Sequence, residues 1–297
     1  MNFGSIMTAM VTPFDERGDI DYPATQNLIN HLLANGTDAL VIAGTTGESP
    51  TLTAQEKVEL FKFTVQTVAG RAPVIAGTGT NSTRESIDLT IQAEEAGVDG
   101  IMLVVPYYNK PCQEGLYQHF KTIAQTTTLP IMLYNIPGRS AVNMLPETII
   151  RLANNVSNIT SVKEASGDLE AAAAIIEHTG DDFFVYSGDD ASTLPMLSIG
   201  GTGIVSVSAH IIGNEMQEMV RHFKMGNTKQ AATIYRGLLP IMKAMFAAPN
   251  PSPTKAALNL TGVPVGGVRL PMIALPEEQV DSLRDLLALR NQSAVGL

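Results

Sequence analysis

Eight short apolar runs recur along the chain, and their spacing restricts the folds open to it. They are SIMTAMV (5–11), ALVIAG (39–44), PVIAGT (73–78), GIMLVVP (100–106), PIMLYN (130–135), ITSVKEA (159–165), FFVYSG (183–188) and TGIVSVS (202–208). Their starts lie roughly 20 to 35 residues apart, the interval that one strand–helix unit needs. Most are continuous rather than alternating, as expected of parallel strands covered on both faces. The stretches between them carry helical punctuation. Thr53 is followed three residues on by Glu56, a capping-box pattern, and Val58, Phe61 and Val65 then recur at helical spacing. Ile87 with Ile91, and Leu89 with Ala93 and Ala96, keep helical spacings, and Gly97 supplies the stop. Eight such units without a second composition type predict an α/β fold, a (β/α)8 TIM barrel. A doubly wound sheet with an extra domain is the competing architecture.

After about residue 224 the strand-like runs cease. KQAATIYRGLLPIMKAMFAA, SPTKAALNLTG and PEEQVDSLRDLLALRNQ all read as helices. The expected division is a catalytic barrel over 1–224 and a C-terminal helical domain over 225–297. No low-complexity linker precedes the helices, so they should pack on the barrel or on a partner.

Composition removes several function classes. An apolar fraction of 44% supports a substantial core, and a net charge of −10 argues against nucleic acid, which needs a basic face. No apolar run approaches the ~18 residues of a membrane span. The single cysteine, Cys112, excludes an intramolecular disulfide and fits a reducing compartment; its plain reading is a small neutral loop residue. MNFGSIMTAMVTPF has no basic n-region and no A-x-A-like cleavage site, so it reads as a first strand and not a signal peptide. A soluble, cytoplasmic protein is the expectation.

In such a barrel the chemistry lies at the C-terminal ends of the strands. GTTGES, PYYNKP, YNIPGR, Lys163, SGDD and SVSAH stand there in turn. A lysine near a strand end is usually a snorkelling surface group. On a barrel strand it meets a packed, dry interior, where a lysine has its pKa pushed down toward ~7–8 at a cost of roughly 3–5 kcal/mol. That cost makes sense where a neutral amine must attack a carbonyl and form a Schiff base. Tyr134, on the preceding strand, is either a core ring with a surface hydroxyl or a phenol that passes protons beside an imine. Thr45 and Thr46 follow Gly44 with successive backbone N–H groups; they form an ordinary turn or hold a small carboxylate. Arg139 is either a solvated loop residue or a bidentate carboxylate clamp.

Other chemistries find little support. GTGTNST (77–83) lacks the third glycine of a dinucleotide fingerprint, and no G-x-S-x-G elbow is present. The histidines at 31, 119, 178, 210 and 222 show no metal-ligand pairing. Asp189 and Asp190 could bind a cation but read better as caps of the following helix.

Taken together, GTTGES (44–49), PYYNKP (106–111), YNIPGR (134–139), VKEASGD (162–168) and GGTGIVSVSA (200–209) resemble the pyruvate-dependent class I aldolase family. Within it they are similar to the dihydrodipicolinate synthase branch, over about residues 1–290. Each motif is modest, and the ordered set is specific. The resemblance implies that Lys163 forms an imine with pyruvate and that no cofactor is needed. Tyr134, Thr46 and Tyr108 would relay protons, with Tyr108 donated across a subunit interface. Thr45 and Thr46 would hold the pyruvate carboxylate, Val205 would line the pocket with its carbonyl, and Gly188 joins this substrate-binding set. Arg139 would receive the carboxylate of aspartate semialdehyde. The implied product is 4-hydroxy-tetrahydrodipicolinate, at the first committed step of the diaminopimelate and lysine pathway. A homotetramer, a dimer of dimers, is the implied assembly, and at least a dimer is required if Tyr108 acts in trans.

Two readings compete. One is cleavage of a 2-keto-3-deoxy sugar acid or sialic acid by the same imine chemistry; the other is a barrel that binds a ligand without turnover. Sialic acid lyases resemble GSTGE where this chain has Gly44-Thr45-Thr46-Gly47-Glu48, and sugar-acid aldolases generally lack an arginine at Arg139. Both features favour the synthase. Lysine-inhibited members often carry two histidines where Ala54 and Lys57 stand, although Asn81, Glu85 and Tyr107 remain at other effector positions. A cation at Lys57 would repel the ammonium of free lysine, so weak or absent inhibition is expected.

Overall fold

Each of the eight apolar runs forms a strand, and each strand is shorter than its run. A computed structural model of the chain describes residues 1–294. Its first half runs β1 (Ile6–Ala9), α1 (Tyr22–Ala34), β2 (Ala39–Ile42), α2 (Ala54–Val68), β3 (Val74–Gly77), α3 (Thr83–Glu95), β4 (Gly100–Val104) and α4 (Gln113–Ala124). Next come β5 (Ile131–Asn135), α5 (Pro137–Ser140), α6 (Pro146–Asn155), β6 (Ile159–Glu164), α7 (Leu169–His178), β7 (Phe184–Ser187), α8 (Thr193–Ser198), β8 (Gly203–Ser206) and α9 (Ala209–Lys224). The strands pair in parallel in sequence order, and β8 closes on β1, which gives the barrel and removes the open sheet. The runs overshoot because their last residues leave the sheet to build loops; Ala43, just past β2, already has φ +49°.

Helix boundaries follow local chemistry. The Thr53 hydroxyl accepts from the Glu56 N–H while the Glu56 carboxylate accepts from the Thr53 N–H, completing the capping box of α2. After α3 the chain turns at Gly97 with φ +85°, a conformation that favours glycine. Of the two spacings in α3, the structure buries Leu89 and Ala93 and leaves Ile91 exposed. Periodicity identified the helix but not its inward face.

Two apolar layers result. Met7, Val41, Ile75, Met102, Met132 and Val205 fill the barrel interior. A larger cluster lies between the strands and their helices. Three further helices follow, α10 (Thr228–Ala244), α11 (Ser252–Leu260) and α12 (Glu277–Ala294). Their Leu238, Ile241, Met242, Ala257 and Leu283 share one cluster with Ile6 of β1 and Ile204 of β8, so the extension packs on the barrel. The last residues of the expected 225–297 domain, 295–297, lie outside the described part. Among the described residues no helix is long and apolar enough to cross a membrane.

Candidate active site

The β5–β6 pairing sets Tyr134 beside Lys163 and Asn135 beside Glu164. Side chains alternate across a strand, so the two pairs face opposite ways. Tyr134 belongs to the barrel interior, and the Lys163 Nζ lies over its ring, 4.2 Å from the centroid. Lys163 is 5% exposed. It has no carboxylate at ion-pair distance and no hydrogen bond among the described residues.

The other buried lysines differ in this respect. Lys255 lies 2.8 Å from the Glu48 carboxylate and donates to the Gly267 carbonyl at 2.6 Å. Burial pushes its ammonium down to about 8, against the pull of Glu48. Lys57 is pushed down by burial and drawn back up by Glu85. An amine held by an anion is a poor nucleophile, whereas one against an aromatic face keeps its lone pair available on deprotonation. Lys163 is therefore the candidate nucleophile.

The outward pair braces the inward one. Asn135 Nδ2 donates to Glu164 at 3.0 Å and to Asn143 at 2.8 Å, while its Oδ1 accepts from the Met144 N–H. Burial pushes the Glu164 carboxyl up, opposed by hydrogen bonds from Ser166 and Asn135. Gly188, after β7, donates to the Glu164 carbonyl at 2.7 Å. A Cβ at Gly188 would sit 2.5 Å from that of Ala165 and 3.2 Å from Lys163 Cε, so any side chain there would press on the amine.

The loop after β2 carries Thr45 and Thr46. Its backbone is pinned by Thr12, whose hydroxyl donates to the Gly47 carbonyl at 2.7 Å, and by Glu48 in the left-handed region at φ +56°. Neither the Thr45 nor the Thr46 N–H finds an acceptor among the described residues. Thr46 is buried, and its hydroxyl accepts from Asn250 Nδ2 at 2.9 Å. Asn250 had no signal in the sequence, since APNPSPT reads as an ordinary turn.

A cavity of about 260 Å³ opens at this end of the barrel, lined among others by Thr45, Lys57, Tyr107, Tyr134, Ile136 and Arg139. Lys163, Thr46, Gly188 and Val205 are not in its lining; Lys163 meets it through the Tyr134 ring. Val205 is buried in the barrel interior, in one apolar cluster with Tyr134. Arg139, on the short α5, is exposed at the rim without a carboxylate partner among the described residues. Tyr108 stands apart: it is 87% exposed, with φ +71°, on the loop after β4. The chain does not bring it into its own site.

Asp190 departs from the capping role expected of it. Its buried carboxylate crosses to the turn after β8, accepting from the Ser206 hydroxyl at 2.5 Å, the Ser208 hydroxyl at 2.9 Å and the Ser208 N–H at 3.0 Å. Burial pushes this carboxyl up, and those donors oppose the shift. It thereby fixes the segment that carries Val205. Asp189 instead accepts locally from the Ser192 hydroxyl at 2.7 Å.

The groups are an amine without a counter-ion and two N–H donors without acceptors among the described residues, a phenol ring against the amine, and a guanidinium at the mouth. They suit capture of a small 2-oxo acid, with its carboxylate on the N–H pair and its carbonyl carbon at the amine.

Comparison with known proteins agrees with this chemistry. The model of the dihydrodipicolinate synthetase family matches residues 2–289. The chain is 59% identical over 288 residues to the 4-hydroxy-tetrahydrodipicolinate synthase of Bacillus subtilis (strain 168), covering 97% of this chain and 99% of that protein. It superposes with a TM-score of 0.95 on a dihydrodipicolinate synthase of Bacillus anthracis, at 53% identity and with 97% and 98% of the two chains covered. A dihydrodipicolinate synthase of Cyanidioschyzon merolae, solved with lysine bound, also gives a TM-score of 0.95, at 49% identity over 96% of this chain and 97% of the other.

Proposed function

The chain belongs to the dihydrodipicolinate synthetase family, and from that premise we propose that Lys163 is the nucleophile of a Schiff-base condensation. The reaction joins pyruvate to L-aspartate 4-semialdehyde and gives 4-hydroxy-tetrahydrodipicolinate, the entry to diaminopimelate and lysine. The observation that carries the residue assignment is the buried Lys163 amine, without a carboxylate partner among the described residues and set on the Tyr134 ring.

The neutral Lys163 amine adds to the pyruvate carbonyl carbon, and the carbinolamine loses water to leave an imine. Tyr134 returns the proton that the departing hydroxyl needs, and Thr46 carries it between groups. Thr45 and Thr46 hold the carboxylate through their N–H groups, with the Val205 and Gly188 backbones bounding the same space. Loss of a methyl proton converts the imine to an enamine, whose carbon attacks the aldehyde and forms the new carbon–carbon bond. The second substrate's own amine then adds at the imine carbon and expels Lys163, which closes the ring. Arg139 orients that substrate through its carboxylate. The protonated imine formed on Lys163 accepts the electron pair of the broken C–H bond, so the reading requires no cofactor.

The exposed Tyr108 phenol supports a further step of the same reading. A side chain turned away from its own barrel can serve a site only in an assembly, so we place it in the relay of a partner subunit within a homotetramer. The single cysteine and the metabolic role support a cytoplasmic setting.

Paired assays test the substrate assignment. Purified protein given pyruvate with aspartate semialdehyde should turn over, and 2-keto-3-deoxy sugar acids or sialic acid should not be cleaved. Cleavage of a sugar acid without the condensation would transfer the site to the aldolase reading. Failure of every substrate would favour a binding barrel.

A further inference from the structure

The N-terminal end of α11 grips the threonine loop at two points. Asn250 donates to the Thr46 hydroxyl at 2.9 Å, and Lys255, further along the same segment, pairs with Glu48 at 2.8 Å. Asn250 is buried, and its amide oxygen is turned toward the Thr254 hydroxyl, 3.5 Å away, which leaves its NH₂ facing Thr46.

A hydroxyl has one proton to donate and two lone pairs. Asn250 occupies one lone pair of Thr46 and offers nothing that would accept its proton. What remains is one lone pair and one proton, the two valences a relay needs to receive a proton on one side while releasing its own on the other. No other described residue accepts from Thr46 Oγ. We propose that Asn250 is a positioning residue that sets the polarity of the Thr46 hydroxyl and so keeps the proton relay open. The inference rests on the Schiff-base reading and adds to it a residue from the turn that leads into α11.

An ionised carboxylate at the same place would reverse the bond. Asn250→Asp retains the volume, but the carboxylate accepts a hydrogen bond from the Thr46 hydroxyl, which ties up its one proton and leaves only lone pairs for the relay. The variant should still trap pyruvate on borohydride treatment. Its kcat should fall about 100-fold near pH 8, the scale of a lost proton transfer, with little change in the KM for pyruvate. The ratio of variant to wild-type kcat should then climb as the pH falls and the buried carboxyl regains a proton that it can donate. A pH-independent ratio, whether near unity or uniformly low, would overturn the proposal, the second outcome marking a merely structural residue.

If Asn250→Asp does not fold, Asn250→Ala measured with and without Thr46→Val decides the matter. The alanine variant should lower kcat in the wild-type background and leave the Thr46→Val protein unchanged; equal losses in both backgrounds would sink the idea. Absence of any pyruvate adduct on the wild-type protein would instead bring down the Schiff-base reading itself, a failure distinct from that of Asn250.

Discussion

The Nζ of Lys163 lies 4.2 Å from the ring centroid of Tyr134, and the two residues are register partners on adjacent strands. One sheet pairing therefore fixes both the amine and the phenol, and the aromatic face stands where a structural lysine would have its carboxylate. The ring and the hydroxyl of Tyr134 thus have separable duties.

Tyr134→Phe separates them. The ring that supports Lys163 stays, so pyruvate should still be trapped as an adduct, while kcat drops about 10²–10⁴-fold for want of the proton donor. Steady-state kinetics alongside mass spectrometry reads both. Wild-type turnover in the phenylalanine variant would remove the phenol from the mechanism.

Lys57 should limit control by free lysine. Its side chain is buried at the cavity, and the Glu85 carboxylate already acts on its ammonium. A second ammonium would meet a like charge there, so millimolar lysine should change the initial rate by no more than about twofold. Inhibition curves at fixed pyruvate check this, and abolition of activity would contradict it.

The Lys255–Glu48 pair is a stability element, with both side chains only 2% exposed. Glu48 also accepts from the Arg269 N–H at 2.9 Å, and the Lys255 ammonium lies 4.1 Å from the centroid of the Phe14 ring. Lys255→Met leaves a buried carboxylate without its cation and should cost about 3–5 kcal/mol in urea unfolding. Adding Glu48→Gln to that variant should recover much of the loss; no recovery would mean that packing, and not charge, was removed.

His210 gives the fold an acid-sensitive point. Its Nδ1 bonds the Val207 carbonyl at 2.7 Å, and its Nε2 accepts from the Val11 N–H at 3.1 Å, so the buried ring is held neutral. Burial pushes it down to about 4 from 6.5. Between those values the unfolded chain binds the extra proton, so this contribution is whole above pH 6.5 and is lost as the pH falls toward 4. At about 1.36 kcal/mol per unit it amounts to about 3 kcal/mol. His210→Gln should flatten the fall in unfolding free energy over that window, and an unchanged slope would exclude the ring as its source.

The barrel was legible because buried parallel strands need continuous apolar runs, and their spacing left room for one helix apiece. Lys163 was legible as a charged residue inside such a run. Its burial and its contact with Tyr134 were not, since they depend on the β5–β6 register. Asn250 was hidden for a different reason. It meets Thr46 across 204 positions of sequence, and nothing in a proline-flanked asparagine foretells that partner. Asp190 misled for a related reason: beside a helix start an aspartate looks like a cap, yet the carboxylate turns to the β8 end, where four donors converge.

Borohydride reduction in the presence of pyruvate, followed by peptide mass spectrometry, measures the central claim directly. The adduct should fall on the peptide that contains Lys163 and vanish in a folded Lys163→Ala protein that no longer turns over. An adduct at Lys57 or Lys255, or full catalysis by Lys163→Ala, would contradict it.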